Sequence, residues 1–297
     1  MKLAALLRAM RPQQWVKNVF VLAAVVFARG DVHTTPPEGY ADVWAVLLAF
    51  ASFCLGSSTI YLINDIMDVE SDRAHPEKCK RPIAAGELPI PMALAGSAAC
   101  LVGALALGVL AGGEPYPVVW VVGAYIALNF AYSLKLKQIV LVDAFCIAIG
   151  FLFRVEAGGL AAHYPVSVWL MLCTLFLALC KRRAEIQLLG DESGTHRANL
   201  RQYTVGFLDQ MVTLLAAVTI VCYTMYTVAP QTTEKFNNGE RLVYTVPFVV
   251  FGLGRYLLLV HTRKGGGSPT KVLLGGDLTF VLNALAWAAT AGWVVWS

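Results

Sequence analysis

Apolar positions along this chain neither alternate nor keep to one stripe of a helix. They gather in long runs separated by shorter polar stretches. Nine runs stand out, at about 12–29, 41–64, 91–112, 116–134, 139–160, 165–181, 205–229, 242–262 and 275–296. Most approach the roughly 20 residues with which an α-helix crosses a hydrocarbon layer about 30 Å thick. Backbone in lipid has no water to bond to, so a crossing segment is a helix or part of a closed barrel, and barrel strands are short and alternating. The pattern predicts an all-α integral membrane protein with nine transmembrane helices, forming one polytopic domain over residues 1–297. The first run contains Lys17 and lacks a small-residue cleavage site, so it reads as a resident segment rather than a removable leader.

Composition sharpens this. Of 297 residues, 58% are hydrophobic and 14% charged, against about 45–50% and about 25% in soluble domains. An ordinary soluble enzyme and a disordered chain are both excluded. Six of the seven cysteines lie in or beside apolar runs and none forms a C-x-x-C pair, so they read as small packing residues. The placement of positive charge says more than its total. Of the 23 Lys and Arg residues, 17 lie in the N-terminus and in the loops after the second, fourth, sixth and eighth runs, and 3 in the intervening loops. By the positive-inside rule the N-terminus is cytoplasmic. The expectation is a multi-pass plasma-membrane protein with cytoplasmic active-site loops at 65–90, 135–138 and 182–204. The Gly265-Gly266-Gly267-Ser268-Pro269 stretch reads as a turn, and no nucleic-acid partner is expected.

The second run flows directly into Asn64-Asp65-Ile66-Met67-Asp68-Val69-Glu70-Ser71-Asp72. Asn64, Asp68 and Asp72 are four apart and share a helix face. Stacked carboxylates repel, and a divalent cation relieves them. Oxygen ligands that leave room for substrate phosphates suit magnesium. His75-Pro76-Glu77-Lys78-Cys79-Lys80-Arg81-Pro82 follows at once, so Lys78, Lys80 and Arg81 lie within reach of the acids. Magnesium with Lys and Arg is the equipment for holding a diphosphate. A solvated helix end with counter-ions is the plainer alternative, and His75 fits a structural role better than a substrate contact.

Two further loops are basic. After the fourth run, Asn129 and Tyr132 share a face, and Lys135 and Lys137 follow at the membrane surface, with Asp143 near enough in sequence to pair with either. After the sixth run comes Lys181-Arg182-Arg183-Ala184-Glu185, with Arg197 and Arg201 beyond. Within the runs, Arg154, Glu156 and Arg255 each require a polar cavity or a partner. One acidic site amid many bases suits substrates carrying several phosphates.

The Asn64-Asp65-x-x-Asp68-x-x-x-Asp72 segment at the end of the second helix, with its basic loop, resembles the first aspartate-rich motif of the UbiA superfamily of nine-helix membrane prenyltransferases. Tyr132 with Leu136-Lys137 resembles the family's tyrosine–lysine segment. The family's second D-x-x-x-D motif belongs after the sixth helix, where this chain reads Lys181-Arg182-Arg183-Ala184-Glu185. That departure, with Arg11-Pro12-Gln13-Gln14-Trp15-Val16-Lys17-Asn18 and His75-Pro76-x-Lys78-x-x-Arg81-Pro82-Ile83-Ala84, is similar to an actinobacterial branch of the superfamily. The resemblance implies transfer of 5-phosphoribose from phosphoribosyl pyrophosphate to a polyprenyl (decaprenyl) phosphate, feeding cell-wall arabinan synthesis.

On that resemblance, Mg2+ is expected on Asp68 and Asp72 with Asn64 or Asp65 assisting. Lys78 and Arg81 join the two aspartates as catalytic residues at the leaving pyrophosphate. Lys17, Lys135 and Lys137 are expected to hold the lipid phosphate, and Lys181, Arg182 and Arg183 the sugar 5-phosphate, with Glu185 orienting one of them or touching the ribose; Asn64 and Tyr132 are further expected substrate contacts. The two anion sites are interchangeable on sequence alone. Gly103 and Gly108 permit close helix packing within or between subunits, which leaves a homo-oligomer, a trimer included, open. Two other readings stand beside this one. A prenyltransferase acting on an aromatic acceptor shares the fold but lacks its second acidic motif here. An anion transporter would use the basic face and Arg154, but shows no repeat of one half in the other.

Overall fold

The computed structural model describes residues 2–23, 25, 38–112, 115–163, 169–189, 203–262 and 277–296, and their regular structure is entirely helical. In chain order the α-helices are α1 (Lys2–Ala9), α2 (Glu38–Met67), α3 (Val69–Ala74), α4 (Ile90–Gly112), α5 (Pro117–Leu134), α6 (Val142–Ala161), α7 (Trp169–Leu189), α8 (Val205–Val228), α9 (Pro230–Thr233), α10 (Val246–Thr262) and α11 (Leu278–Trp296). Pro12–Leu22, Lys78–Lys80, Leu136–Gln138 and Gly239–Thr245 are 3-10 helices. Arg197, Arg201 and the Gly265 stretch lie outside the described residues.

Among the described residues, seven helical stretches are long and apolar enough to cross a membrane: Val43–Met67, Ile90–Gly112, Pro117–Leu134, Val142–Ala161, Val205–Val228, Gly239–Thr262 and Leu278–Trp296. Their outward faces carry large apolar side chains, such as Trp44, Leu94, Val102, Leu110, Trp120, Leu214, Leu282 and Leu285. Water would not tolerate so much exposed hydrocarbon, whereas lipid requires it. The chain is a multi-pass membrane protein. The two other expected crossings, 12–29 and 165–181, lie partly outside the described residues. Arg11 adopts a left-handed backbone (φ 55°) and Pro12 lacks an N–H, so α1 stops and the run restarts as a 3-10 helix ending at Leu22. The α7 helix is 21 residues long but carries four charges from Lys181 to Glu185. It extends to Leu189, so the first part of the expected 182–204 loop is helix.

Contacts gather into two compact units. The first holds α1 to α5 and α6 from Phe153 onward. There α2 packs along α4, α5 and the Pro12–Leu22 segment, around Val21, Val46, Ala49, Phe53, Val118, Val122 and Tyr125. Small residues set the spacing. A Cβ on Gly108 would lie 3.1 Å from the Val119 backbone, and one on Gly103 would lie 2.9 Å from Leu55. Both glycines therefore serve packing inside the subunit. At Gly158 a Cβ would collide with the Val21 carbonyl, so α6 and the 3-10 segment meet backbone to backbone. A second cluster, including Ala5, Ala9, Leu62, Ile83, Leu88 and Ala93, lies under the end of α2.

The second unit holds α6 up to Leu152 and α7 to α11. Its core joins Leu175, Phe176, Leu179, Leu208, Val212, Tyr256 and Leu259. The Thr204 hydroxyl caps α8 by accepting from the Phe207 N–H at 3.2 Å. A half-open apolar cavity of about 250 Å³ lies among α7, α10 and α11.

Candidate active site

The acidic end of α2 is shaped by one break. Helix α2 ends at Met67, Asp68 leaves helical geometry (φ −94°, ψ 9°), and α3 starts at Val69. The hydrogen-bond ladder runs on through the break, from Asp68 N–H to the Asn64 carbonyl (2.9 Å) and from Asp72 N–H to the Asp68 carbonyl (2.8 Å). The following loop is pinned back by Ile83 and Leu88, which are buried. The His75 ring accepts from the N–H groups of Glu77 and Lys78 at 3.2 and 3.3 Å. His75 therefore shapes the turn that presents Lys78, as its plainer reading expects.

This geometry sorts the expected residues. Asp65 and Asp72 are each 2% exposed, Asp68 is exposed and Asn64 is half-buried. Arg81 brings the two buried acids together: its Nη1 donates to Asp65 Oδ1 at 3.1 Å and to Asp72 Oδ2 at 2.6 Å. Arg11 donates to the same Asp65 Oδ1 at 2.5 Å and lies over the Tyr61 ring, 5.0 Å from its centroid. Helical spacing grouped Asn64, Asp68 and Asp72, while the folded loop gathers Asp65, Asp72, Arg81 and Arg11. Lys78 is exposed. Among the described residues no three Asp, Glu, His or Cys side chains form a ready metal cage. The donors still fit a hard cation, because Asp65 Oδ2 is buried with no hydrogen-bond partner and Asp68 offers a second carboxylate. Few protein oxygens, with the rest from phosphate and water, is how magnesium is commonly held.

The same unit holds a second polar group. Asn18 is fully buried and Arg154 is 8% exposed. Arg154 donates from Nε to Asn18 Oδ1 and from Nη2 to the Tyr125 hydroxyl, both at 2.8 Å. The Asn18 amide in turn reaches Cys54 Sγ and Ser57 Oγ, each at 3.4 Å. Asn18, like Arg11, belongs to the Arg11–Asn18 segment, so the sequence signal for both was the motif and not the charge pattern. Lys17 is exposed beside them.

In the second unit the basic end of α7 is paired. Asp143 is fully buried and takes Arg182 Nε at 2.6 Å, and Arg182 Nη1 donates to Glu185 at 2.7 Å. Asp143 thus pairs with Arg182, and neither Lys135 nor Lys137 takes it. Tyr203 donates to Asp143 at 2.9 Å and accepts the Leu141 N–H at 2.6 Å. Burial, reinforced by the Asp143 carboxylate, pushes the Tyr203 hydroxyl up to about 12. Arg182 is 1% exposed, so it sits inside the protein. Lys181 is 52% exposed and faces Glu185 at 3.9 Å. Arg183 is buried between Asp209 and the Val260 carbonyl, and His261 touches the same Asp209 at 3.1 Å. Arg255 pairs with Asp277 at 2.8 Å. Lys135 and Lys137 are exposed on either side of Leu136, and Tyr132 is half-buried.

The sequence profile of the UbiA prenyltransferase family matches residues 17–283. The chain belongs to this family. Within it, the chain is 37% identical over 300 residues to the decaprenyl-phosphate phosphoribosyltransferase of Mycolicibacterium smegmatis, covering 97% of this chain and 92% of that protein. It is 36% identical to the enzyme of the same name from Mycobacterium tuberculosis, over 97% of this chain and 93% of the relative. Among solved structures, a UbiA homolog from Archaeoglobus fulgidus bound to GPP and Mg2+ superposes with a TM-score of 0.67. It covers 98% of this chain and 99% of that one at 19% identity. The helical arrangement is thus the UbiA fold. Against that fold, the end of α7 carries no free carboxylate: its one acid, Glu185, is held by Arg182.

Proposed function

We propose that this UbiA-family chain transfers 5-phosphoribose from phosphoribosyl pyrophosphate to a polyprenyl phosphate, with release of pyrophosphate. Decaprenyl phosphate is the acceptor in its named relatives. The observation that carries the reading is the pairing at the end of α7. Glu185 and Asp143 are both committed to Arg182, so among the described residues one acidic site remains, at the end of α2. One acidic site serves one diphosphate, and further phosphates on the substrates are left to bases.

Asp65 and Asp72, with Asp68 and Asn64 beside them, would hold Mg2+ at the diphosphate. Magnesium there neutralises charge that grows on the leaving pyrophosphate. Lys78 is exposed and places an ammonium at the same group. Loss of pyrophosphate leaves an oxocarbenium-like anomeric carbon, as in other glycosyl transfers. The acceptor phosphate is already an anion and needs positioning more than a base. Lys17, Tyr132, Lys135 and Lys137 are assigned to the lipid phosphate. Lys181 is assigned to the sugar 5-phosphate, and Glu185, oriented by Arg182, to the ribose. In this reading the chain crosses the plasma membrane nine times, once per apolar run, with the N-terminus on the cytoplasmic side that the distribution of Lys and Arg favours.

The test is a transfer assay on the full-length protein in detergent. Labelled phosphoribosyl pyrophosphate is offered with polyprenyl phosphate, and in parallel a prenyl diphosphate is offered with an aromatic acceptor. Label enters lipid only in the first reaction, stops with EDTA, returns with Mg2+, and falls at least about 100-fold in Asp72→Ala. Product only in the second reaction overturns the proposal in favour of prenyl transfer.

A further inference from the structure

The two oxygens of Asp65 are treated differently. Oδ1 accepts from both Arg11 and Arg81, while Oδ2 is buried without a hydrogen-bond partner. The Arg81 nitrogen that reaches Oδ1 also donates to Asp72. A single guanidinium nitrogen therefore stands between two buried carboxylates, which is where a divalent cation would relieve their repulsion. A metal entering alone must break two charge-assisted hydrogen bonds and strand an arginine.

The two arginines are not equivalent. Arg11 stacks on Tyr61, and its left-handed backbone is followed by Pro12. Arg81 closes the Lys78–Lys80 turn and is 27% exposed against 23% for Arg11, so exposure does not separate the two; the Tyr61 stack and the Arg11-Pro12 backbone do. Of the two, Arg81 can leave.

We propose that Arg81 is an exchangeable counter-ion: it holds Asp65 and Asp72 in place of a metal and surrenders them when a diphosphate arrives to receive the guanidinium. This rests on the reading above that these acids hold metal and diphosphate. A guanidinium binds phosphate oxygens through the same fork of donors that it offers carboxylates. Departure of Arg81 then frees Asp72 Oδ2 and half of the hold on Asp65, while Arg11 keeps Asp65 in position. Metal and diphosphate enter together, and metal alone binds poorly.

The test uses Mn2+ as the probe on full-length protein in detergent, with free Mn2+ read by electron paramagnetic resonance and inorganic pyrophosphate present or absent. Without pyrophosphate, Arg81→Gln binds Mn2+ about tenfold tighter than wild type, because more molecules have their carboxylates free. Pyrophosphate tightens Mn2+ binding in wild type more than in the variant. Arg81→Lys, whose single ammonium spans the two acids poorly, gains about threefold and covers the case in which the glutamine variant fails to fold. Unchanged or weaker Mn2+ binding in these variants overturns the exchange. Asp65→Asn separates the two ideas. If it leaves Mn2+ binding with pyrophosphate intact, the metal reading falls and the exchange with it. If it abolishes binding while Arg81→Gln and Arg81→Lys gain nothing, the exchange alone falls.

Discussion

Arg154 lies within a membrane-spanning helix, where a guanidinium is costly unless polar groups surround it. Asn18 and the Tyr125 hydroxyl supply two of its contacts. Arg154→Ala leaves those partners buried without their donor, and the expected loss is about 1–3 kcal/mol, read as a lower melting temperature in detergent. Tyr203 ties stability to alkaline pH. Its folded value of about 12 lies above the ordinary tyrosine value of 10.0. The neutral phenol is therefore favoured by the fold. Its contribution to stability is complete below pH 10 and is lost as pH rises through about 12. Tyr203→Phe should remove that alkaline component from a melting-temperature profile, and a profile identical to wild type between pH 10 and 12 would contradict it.

At the scale of elements, the end of α7 separates two neighbours that look alike in sequence. Arg182 is buried on Asp143, and Lys181 is half in solvent. Arg182→Ala strands a fully buried carboxylate, with an expected cost of about 3–5 kcal/mol and loss of folded protein on gel filtration. Lys181→Ala should leave the melting temperature unchanged within about 0.5 kcal/mol of stability. It should raise KM for the phosphorylated donor with little change in kcat. The long apolar runs made most elements legible, because a lipid-crossing helix is written in consecutive residues. What the runs concealed were the pairings. Asp65 meets Arg11 across 54 positions, Arg182 meets Asp143 across 39, and Arg154 meets Asn18 across 136. No local spacing encodes such contacts. Helical periodicity therefore grouped Asn64, Asp68 and Asp72 on one face, whereas the loop returning through Ile83 and Leu88 set Arg81 between Asp65 and Asp72.

For the whole molecule, the proposed cytoplasmic placement of the α2–α4 loop is open to chemical labelling. Cys79 lies in that loop and is partly exposed, whereas Cys54, Cys100, Cys146 and Cys180 are buried. A membrane-impermeant maleimide should modify Cys79 in inside-out vesicles and not in intact cells. The reverse pattern would invert the orientation drawn from the Lys and Arg distribution. The family and the acidic motif were legible because both are local strings. The outline of nine runs was legible too, although seven stretches meet the length and apolarity of a crossing among the described residues. The other two runs, 12–29 and 165–181, reach beyond the described residues.

The group around Asp65 has one more consequence, and it concerns kinetics. From Asn64 to Pro82 the chain carries five acids and four bases, and Arg11 folds in as the fifth base. The formal charges cancel, and a neutral assembly casts little field beyond a Debye length of about 8 Å at physiological salt. This group alone would then exert little long-range pull on a multiply charged donor. With Lys17, Lys135, Lys137 and Lys181 replaced by Gln, the association rate should change by less than about threefold between 20 and 200 mM salt, unlike the steep fall expected of an electrostatically steered encounter. Stopped-flow mixing across that range would show whether the mouth of this enzyme acts as a funnel or simply waits for collision.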